Sequence, residues 1–532
     1  MEEKEILKEN IPAEKFAFVN SDANIHDQAF DTKPIGYFKD AFRRFRKNKG
    51  SVIAGIIILL LVLFAIIVPF ISSPVAQNER VSYYAKMGPR TTWGYRIGMN
   101  GSTNKDYNEN LLMKNLAIGV AAEYRYDEKT GVETLPSTED GRKSYYQPVV
   151  SVTGSNVISQ GGDRTTVYYA NIDTYLGVGF IYVELQPEAY SSIQRYQAET
   201  GYQVLYPMID TDSEYCFSTT DANFWYRASK NNQNRGAPLD ANDKIQHYSA
   251  DNLKFIDVYL RDETGNPLFY QRVGGGDEKT ASYKCRVLYY NYYRYMYNTE
   301  PTYIFGTDSQ GYDLAYRMST GMRLSFILAV LVSVINFVIG AIYGAIEGYY
   351  GGAADLIMER ISDILVEVPF IVVSTLFQLH LAAKVGAFPS LIFAFVLTGW
   401  IGTASRVRSQ FYRFKNNEYV LAARTLGASD ARIMWKHIFP NTLGTIITSS
   451  VLVIPGVIFS ESMLSYLGIV NLGSATSTSL GTLISEAAGI WMTYPHLMVF
   501  PAVVISLLMI CFNLFGNGLR DAFNPTLRGA EE

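Results

Sequence analysis

Residues 51–71, SVIAGIIILLLVLFAIIVPFI, carry no charge over their whole length. About 20 apolar residues in a helix cross a hydrocarbon core roughly 30 Å thick. A helix buried in a soluble protein keeps a polar face, and this run has none. Fifty residues precede it and it outruns a signal-peptide core, so a retained membrane span is expected rather than a cleaved leader. Five more apolar runs follow after a long gap, at 324–345, 361–383, 388–403, 443–467 and 497–515. Six spans put both termini on one side of the membrane.

Charge says which side. Arg43, Arg44, Arg46, Lys47 and Lys49 precede the first span. Arg406, Arg408, Arg413, Lys415, Arg424, Arg432 and Lys436 lie between the fourth and fifth, and Arg520 and Arg528 follow the sixth. The loop between the third and fourth holds only Lys384. The positive-inside rule then makes the termini and the loop 406–441 cytoplasmic, and residues 73–305 extracellular. Phe38, Phe42 and Phe45 recur at helical spacing opposite this first basic cluster, which reads as a helix lying in the headgroup layer. The expected division is a tail at 1–35, an interfacial helix at 36–50, span one at 51–72, an inserted domain at 73–305 and a five-helix core at 306–528.

The chain average hides this layout. With 532 residues, a net charge of −4 and a mean hydropathy of +0.03, it looks soluble. That average is a cancellation between apolar spans and a polar insert. No basic excess points to nucleic acid, and three cysteines cannot build a disulfide scaffold.

The insert holds roughly three quarters of the 39 tyrosines. Alternating runs at 165–185 and 255–260, with turn signals at 264–267 and 274–277, predict a strand-rich α+β domain. The run 289–297, YYNYYRYMY, is expected as a strand with one packed face, a peptide platform and an interfacial aromatic belt being the alternatives. Cys216 and Cys285 pair as a disulfide or sit apart as two buried thiols; Cys511 is an apolar filler within span six. His247 is the insert's one histidine, and no nucleophile–base pair or metal-ligand set accompanies it.

Residues 418–441, EYVLAARTLGASDARIMWKHIFPN, are the most informative. A short helix at 418–426 carries Ala422 and Ala423, which leave little between its backbone and a partner surface. Gly427 suits a left-handed helix end, with Ala428 beside it, and Ser429 or Asp430 caps a second helix at 431–438. Pro440 is expected to break the pattern before span five. Such a helix pair can dock on a soluble protein and pass its movement into the membrane.

This segment resembles the coupling loop of ABC importer permeases. Glu418, Ala422, Ala423 and Gly427 match its core, and His437, Ile438, Phe439, Pro440 and Asn441 its ending in peptide-type members. The glutamate stands upstream of the alanines rather than beside them. Phe305, Gly306, Thr307, Asp308, Gly311 and Asp313 resemble the lead into span two of the oligopeptide and dipeptide C-type subunits, with Tyr312 where an arginine is usual. Gly348–Gly352, Asp363, Pro369, Arg406, Arg408, Glu461, Ser465, Gly468, Glu486 and the segment 512–525 also fit.

The resemblance implies a polytopic α-helical protein of the type I ABC importer permease fold, with the extracellular domain as an addition. It implies half of a translocation pathway for oligopeptides or dipeptides in a bacterial cell membrane. The implied partners are a second permease subunit, two ABC ATPases and an extracellular substrate-binding lipoprotein. The chain has no Gly-Lys-Ser or Gly-Lys-Thr, hence no P-loop. ATP and Mg are therefore expected on the ATPases, with no catalytic residue, metal or cofactor here. Nickel chelates, haem, modified sugars or a signalling peptide are alternative cargoes, and a membrane-anchored receptor is an alternative role. Asn336, Asp363, Glu367 and Glu461 are candidates for the pathway or the subunit interface, since ionisable and polar groups are costly in lipid. Gln378 and His380 sit toward the outer end of span three.

Overall fold

The computed structural model describes residues 37–72, 80–127, 129–134, 144–160, 163–212, 220, 222–223, 259–274, 281–473 and 478–523. The chain enters through an amphipathic helix, α1 (Tyr37–Lys47), where Phe42 is exposed and Phe45 meets Phe515 edge-on at 5.2 Å. The side chain of Phe38 lies outside the described residues. Asn48 then starts α2 (Lys49–Ile71), its Oδ1 accepting from Ser51 N. In hydrocarbon every backbone group must bond to protein, which only helices and closed barrels achieve, and an uncharged run of this length with no alternating polar positions takes the helix.

The insert is α+β. β1 (Ser102–Asn108), β5 (Asp163–Asp173) and β4 (Val149–Gln160) form an antiparallel sheet in that order, with α3 (Glu109–Ala121) packed against it. β2 (Arg125–Asp127) and β3 (Val132–Thr134) pair as a hairpin. A second sheet centres on β9 (Ser282–Leu288), with β6 (Phe180–Leu185) along one edge. β7 (Leu205–Tyr206) and β8 (Tyr270–Val273) lie along the other edge. Helix α4 (Pro187–Thr200) packs across β6 and β9.

The strands expected within 165–185 are therefore present. Of 255–260 only the last two residues are described, with Tyr259 bridging Ile209. Asp262 holds the 264–267 turn, its Oδ1 accepting from Thr264 N and Asn266 N at 2.9 Å each. Of the 274–277 turn only Gly274 is described.

Tyrosine builds this core. Tyr84, Tyr124, Tyr175, Tyr206 and Tyr290 are fully buried. A buried phenol needs a partner for its hydroxyl. Tyr175 donates to Gly88 O at 2.8 Å and Tyr206 to Ala122 O at 3.0 Å. Arg90 lies 5.1 Å from the rings of both Tyr175 and Tyr290 and pairs with the buried Asp173 at 3.0 Å.

The run 289–297 corrects the expectation of a strand: it is helix α5 (Tyr289–Tyr297). Tyr289, Tyr290 and Tyr293 are buried, and the rings of Tyr293 and Tyr297 meet one turn apart at 4.6 Å. This three-to-four-residue burial stripe outweighs tyrosine's preference for strands.

Both ends of the insert return to one place. Arg90 and Tyr303 exchange two backbone hydrogen bonds of 2.8 Å, and Lys86 N donates to Asp308 O at 2.8 Å. Thr307 Oγ1, wholly buried, accepts from Met87 N and donates to Tyr84 O. A Cβ on Gly306 would stand 2.3 Å from Met87 O, so only glycine fits there.

Beyond this clasp Asp313 caps α6 (Leu314–Tyr350), its Oδ1 accepting from Ala315 N. The third apolar run is not one helix. α7 (Gly352–Val366) and the shorter α8 (Phe370–His380) are separated at Glu367–Pro369. Proline lacks an N–H and disfavours helix at the residue before it. Spans four and five are longer than their apolar cores, as α9 (Ala387–Phe414) and α11 (Asp430–Tyr466), with α10 (Glu418–Thr425) between them. Hydropathy marks the apolar stretch of such a helix and is blind to its polar continuation. The short α12 (Leu480–Ala487) and α13 (His496–Phe523) complete the bundle, α13 lying along α2. The architecture is thus a helical polytopic membrane protein carrying a strand-containing insert.

Candidate coupling site and buried polar groups

The coupling segment sits on a tight helix pair. Gly340, Gly344 and Gly348 recur every four residues along α6, facing α9. A Cβ at these positions would lie 2.7 Å from Trp400 O, 2.2 Å from Ala404 O and 2.8 Å from Arg408 O. Small residues at this spacing let two helix backbones touch, which is how helices pack when lipid supplies no hydrophobic drive. The stripe was readable as a four-residue glycine period, a signal that hydropathy overlooks.

At the end of this contact Arg408 gathers three acids. Its Nε meets Asp355 Oδ1 at 2.6 Å, its Nη1 meets Glu359 Oε1 at 2.8 Å, and Glu347 Oε1 lies 3.5 Å from Nε. Tyr412 donates to Asp355 Oδ2, and Lys415 Nζ to Gly348 O at 3.0 Å. Arg408 therefore ties α7 to α6 and α9. Sequence reading noticed Arg408 for its charge and family position, not for this cluster.

The helix pair 418–441 rests on the same end. Val420, Ile433 and Ile438 are wholly buried, in one cluster with Val407, Phe411 and Tyr349. Tyr349 donates to Asp430 Oδ1 at 2.6 Å and accepts from Arg424 Nη2 at 3.3 Å. Ala423 faces inward, while Glu418 and Ala422 face outward. Leu426 is 88% exposed and Leu421 45%. Gly427 turns between the helices at φ +80°, with nothing within 4 Å of an added Cβ. The left-handed backbone demands glycine there, and the space around it is open. Ser429 has N-cap backbone geometry without a side-chain cap bond.

Pro440 does not break the helix. The chain runs through it by way of a π-helical turn, Ile433–Ile438. Widening the turn accommodates a residue that cannot donate. Asn441 Nδ2 donates to His437 O at 2.7 Å, so a side chain serves that carbonyl. His437 is half-buried and Pro440 exposed.

The polar candidates in the spans scatter. Asn336 is buried inside the chain, and a Cβ on Gly399 would touch its Nδ2 at 2.4 Å. Asp363 is exposed and paired with Arg360 at 2.9 Å, and Glu367 is exposed at the break between α7 and α8. Glu461 is wholly buried between α6 and α11, accepting from Ser325 at 3.1 Å and Ser465 at 3.0 Å. Gln378 donates to Ala387 O, and His380 is exposed. In the insert Cys285 is a buried free thiol, while Cys216 and His247 lie outside the described residues. Among the described residues no cluster of histidine, cysteine and acids is set to hold a metal ion.

Known proteins match the bundle. Residues 340–529 fit the family model of the inner membrane component of binding-protein-dependent transport systems. Residues 36–89 fit that of the N-terminal transmembrane domain of oligopeptide transport permease C. The chain is 44% identical over 225 residues to the oligopeptide transport system permease protein OppC of Bacillus subtilis (strain 168), spanning 42% of this chain and 72% of that protein. It is 39% identical over 252 residues to the dipeptide transport system permease protein DppC of Lactococcus lactis subsp. cremoris, spanning 47% and 69%. A solved structure of inward-facing MetNI methionine ABC transporter aligns with a TM-score of 0.33 at 15% identity, over 39% of this chain and 97% of that one.

Proposed function

The chain belongs to the oligopeptide and dipeptide permease family of ABC importers, and from that premise we propose how it works. It is a multi-pass transport subunit that acts in a complex with ATPase and permease subunits. In our reading the outward face of α10 and of the turn after it, with Glu418, Ala422 and Leu426 beside Gly427, is where an ATPase docks, while Ala428 packs inward and holds the turn against the buried cluster. His437 and Pro440 carry the motion along α11 toward its membrane-spanning part. ATP and Mg bind on two partner ATPases, which hydrolyse the ATP, and this chain itself catalyses nothing. A second, related permease completes the pathway, and a lipid-anchored binding protein delivers peptide to it. The basic ends and the coupling pair face the cytoplasm, and the insert faces outward, where it receives or orients that binding protein.

The observation that carries this reading is a two-faced element. One face of the helix pair is locked onto α6 and α9 by Val420, Ile433, Ile438 and the Tyr349–Asp430 hydrogen bond. The other exposes Leu421 and Leu426 beside a glycine turn. A stiff inward face and a bare outward face are what a lever between two subunits requires. Gly427→Glu should lower peptide-stimulated ATP hydrolysis in the reconstituted complex by about tenfold or more, as loss of an interface hot spot does. Membrane insertion should be unchanged, and parental transport in that variant rejects the docking face. Excising residues 92–301, which keeps the Arg90–Tyr303 bridge, should weaken binding-protein capture. Unchanged capture rejects the role given to the insert.

A further inference from the structure

A cleft of 490 Å³ opens in the insert, lined by β2, α4, β7 and the residues beside them. Pockets that enclose drug-sized molecules run roughly 300–1,000 Å³, so this one has room for a short oligomer. Tyr126, Tyr190 and Phe269 line it, with the rings of Tyr126 and Phe269 5.8 Å apart.

The polar lining is rich in donors. Every hydrogen bond of Arg125 leaves from Nη1, to Ala122 O and Tyr124 O at 2.7 Å and to Gln203 Oε1 at 3.1 Å. Its Nε and Nη2 have no protein partner among the described residues, while the three acceptors share the two hydrogens of Nη1 and fix that end of the guanidinium. Gln197 uses Oε1 to accept from Val204 N and Leu205 N at 2.6 Å, and its Nε2 has no partner among the described residues. Lys129 Nζ makes no hydrogen bond or ion pair among the described residues. Among the described residues Asp127 is the one acid in the lining, and its Oδ1 accepts from Lys129 N at 2.9 Å.

An anchored guanidinium and a neighbouring ammonium beside an aromatic wall suit a carboxylate carried on an apolar body. We propose that this cleft binds a short peptide by its C-terminal carboxylate. Arg125 and Lys129 hold the charge, and the aromatic wall takes the adjoining side chain. The choice of a peptide, among carboxylates, rests on the peptide-transport reading above.

The test uses the full chain in lipid nanodiscs and fluorescence anisotropy. The probes are N-terminally labelled Ala-Gly-Phe-Leu, its C-terminal amide, and labelled glucuronic acid. The free acid should bind, and the amide about tenfold more weakly, as expected when about 1.4 kcal/mol of charge-assisted bonding is lost. Lys129→Gln should bring the acid down toward the amide and leave the amide unchanged. Ala198→Trp, at an exposed α4 position in the lining, should abolish binding of both. Equal binding of acid and amide, indifference to Ala198→Trp, or preference for glucuronate overturns the proposal. Uptake of the same peptide by the reconstituted importer separates the two readings. Uptake without binding to this chain overturns the cleft alone. Acid-selective binding without uptake of any peptide upholds the cleft and overturns the transport reading.

Discussion

The bundle and the insert reach close packing with opposite materials. Along α6 and α9 the side chains have been removed: three glycines let one backbone lie against another. In the insert the side chains are among the largest available: tyrosines fill the core, and those of Tyr175 and Tyr206 anchor their hydroxyls on backbone carbonyls inside it. Lipid tails are as apolar as leucine, so burying large side chains gains little there and proximity decides. Outside lipid, burying aromatic area is the main driving force, and a phenol brings its own polar anchor. One chain thus obeys two packing rules, divided by the clasp around Arg90 and Tyr303.

The largest expected effect tests the insert. Arg90→Ala leaves Asp173 buried without its cation and should cost the insert about 3 kcal/mol, as removal of one partner from a buried pair does. Thermal unfolding followed by protease resistance of the insert reads this out, with the spans unaffected. If the spans melt together with the insert, the two regions are one cooperative unit and the contrast fails. Gly344→Leu tests the bundle, since its Cβ meets Ala404 O. The loss should be about 1–3 kcal/mol, the usual range for overpacking. Gly402→Leu, on α9 with open space around it, is the matched control and should move stability by less than about 0.5 kcal/mol. Equal losses would mean that the glycine stripe is not the contact that matters.

The smallest effect is a silence. Burial pushes the Cys285 thiol up to about 12, and little thiolate exists near neutrality. Native protein should resist iodoacetamide at pH 8 at this position and react only after unfolding. Rapid labelling, located by mass spectrometry, would show that the tyrosine core opens readily.

The apolar runs were legible because lipid leaves a helix no alternative, and the first span needed nothing but its missing charges. Pro369 was visible too, yet treating residues 361–383 as one run hid the break it makes. Pro440 misled in the other direction. A proline ordinarily stops a helix, but a π turn at 433–438 carries the backbone past it. The coupling segment was legible through its alanines and glycine, but not Tyr349 or Arg408, which act from elements distant in sequence. Residues 289–297 were read by propensity as a strand, whereas the burial of Tyr289, Tyr290 and Tyr293 together selects a helix. Propensity is local, and tyrosine serves either geometry once a core surrounds it.

The clasp at Arg90 and Tyr303 has a consequence for how such a chain can change over generations. Two strand-paired residues hold the ends of everything from 91 to 302 about 5 Å apart, the ordinary spacing of neighbouring strands. Closing a long loop becomes only slowly harder as it lengthens. The stem therefore tolerates almost any length of chain beyond it, from a bare turn to a whole domain. A gene could exchange the domain there in a single event, which makes this stem a natural site for grafting other modules that cover Val81, Tyr84 and Tyr303 as the present one does.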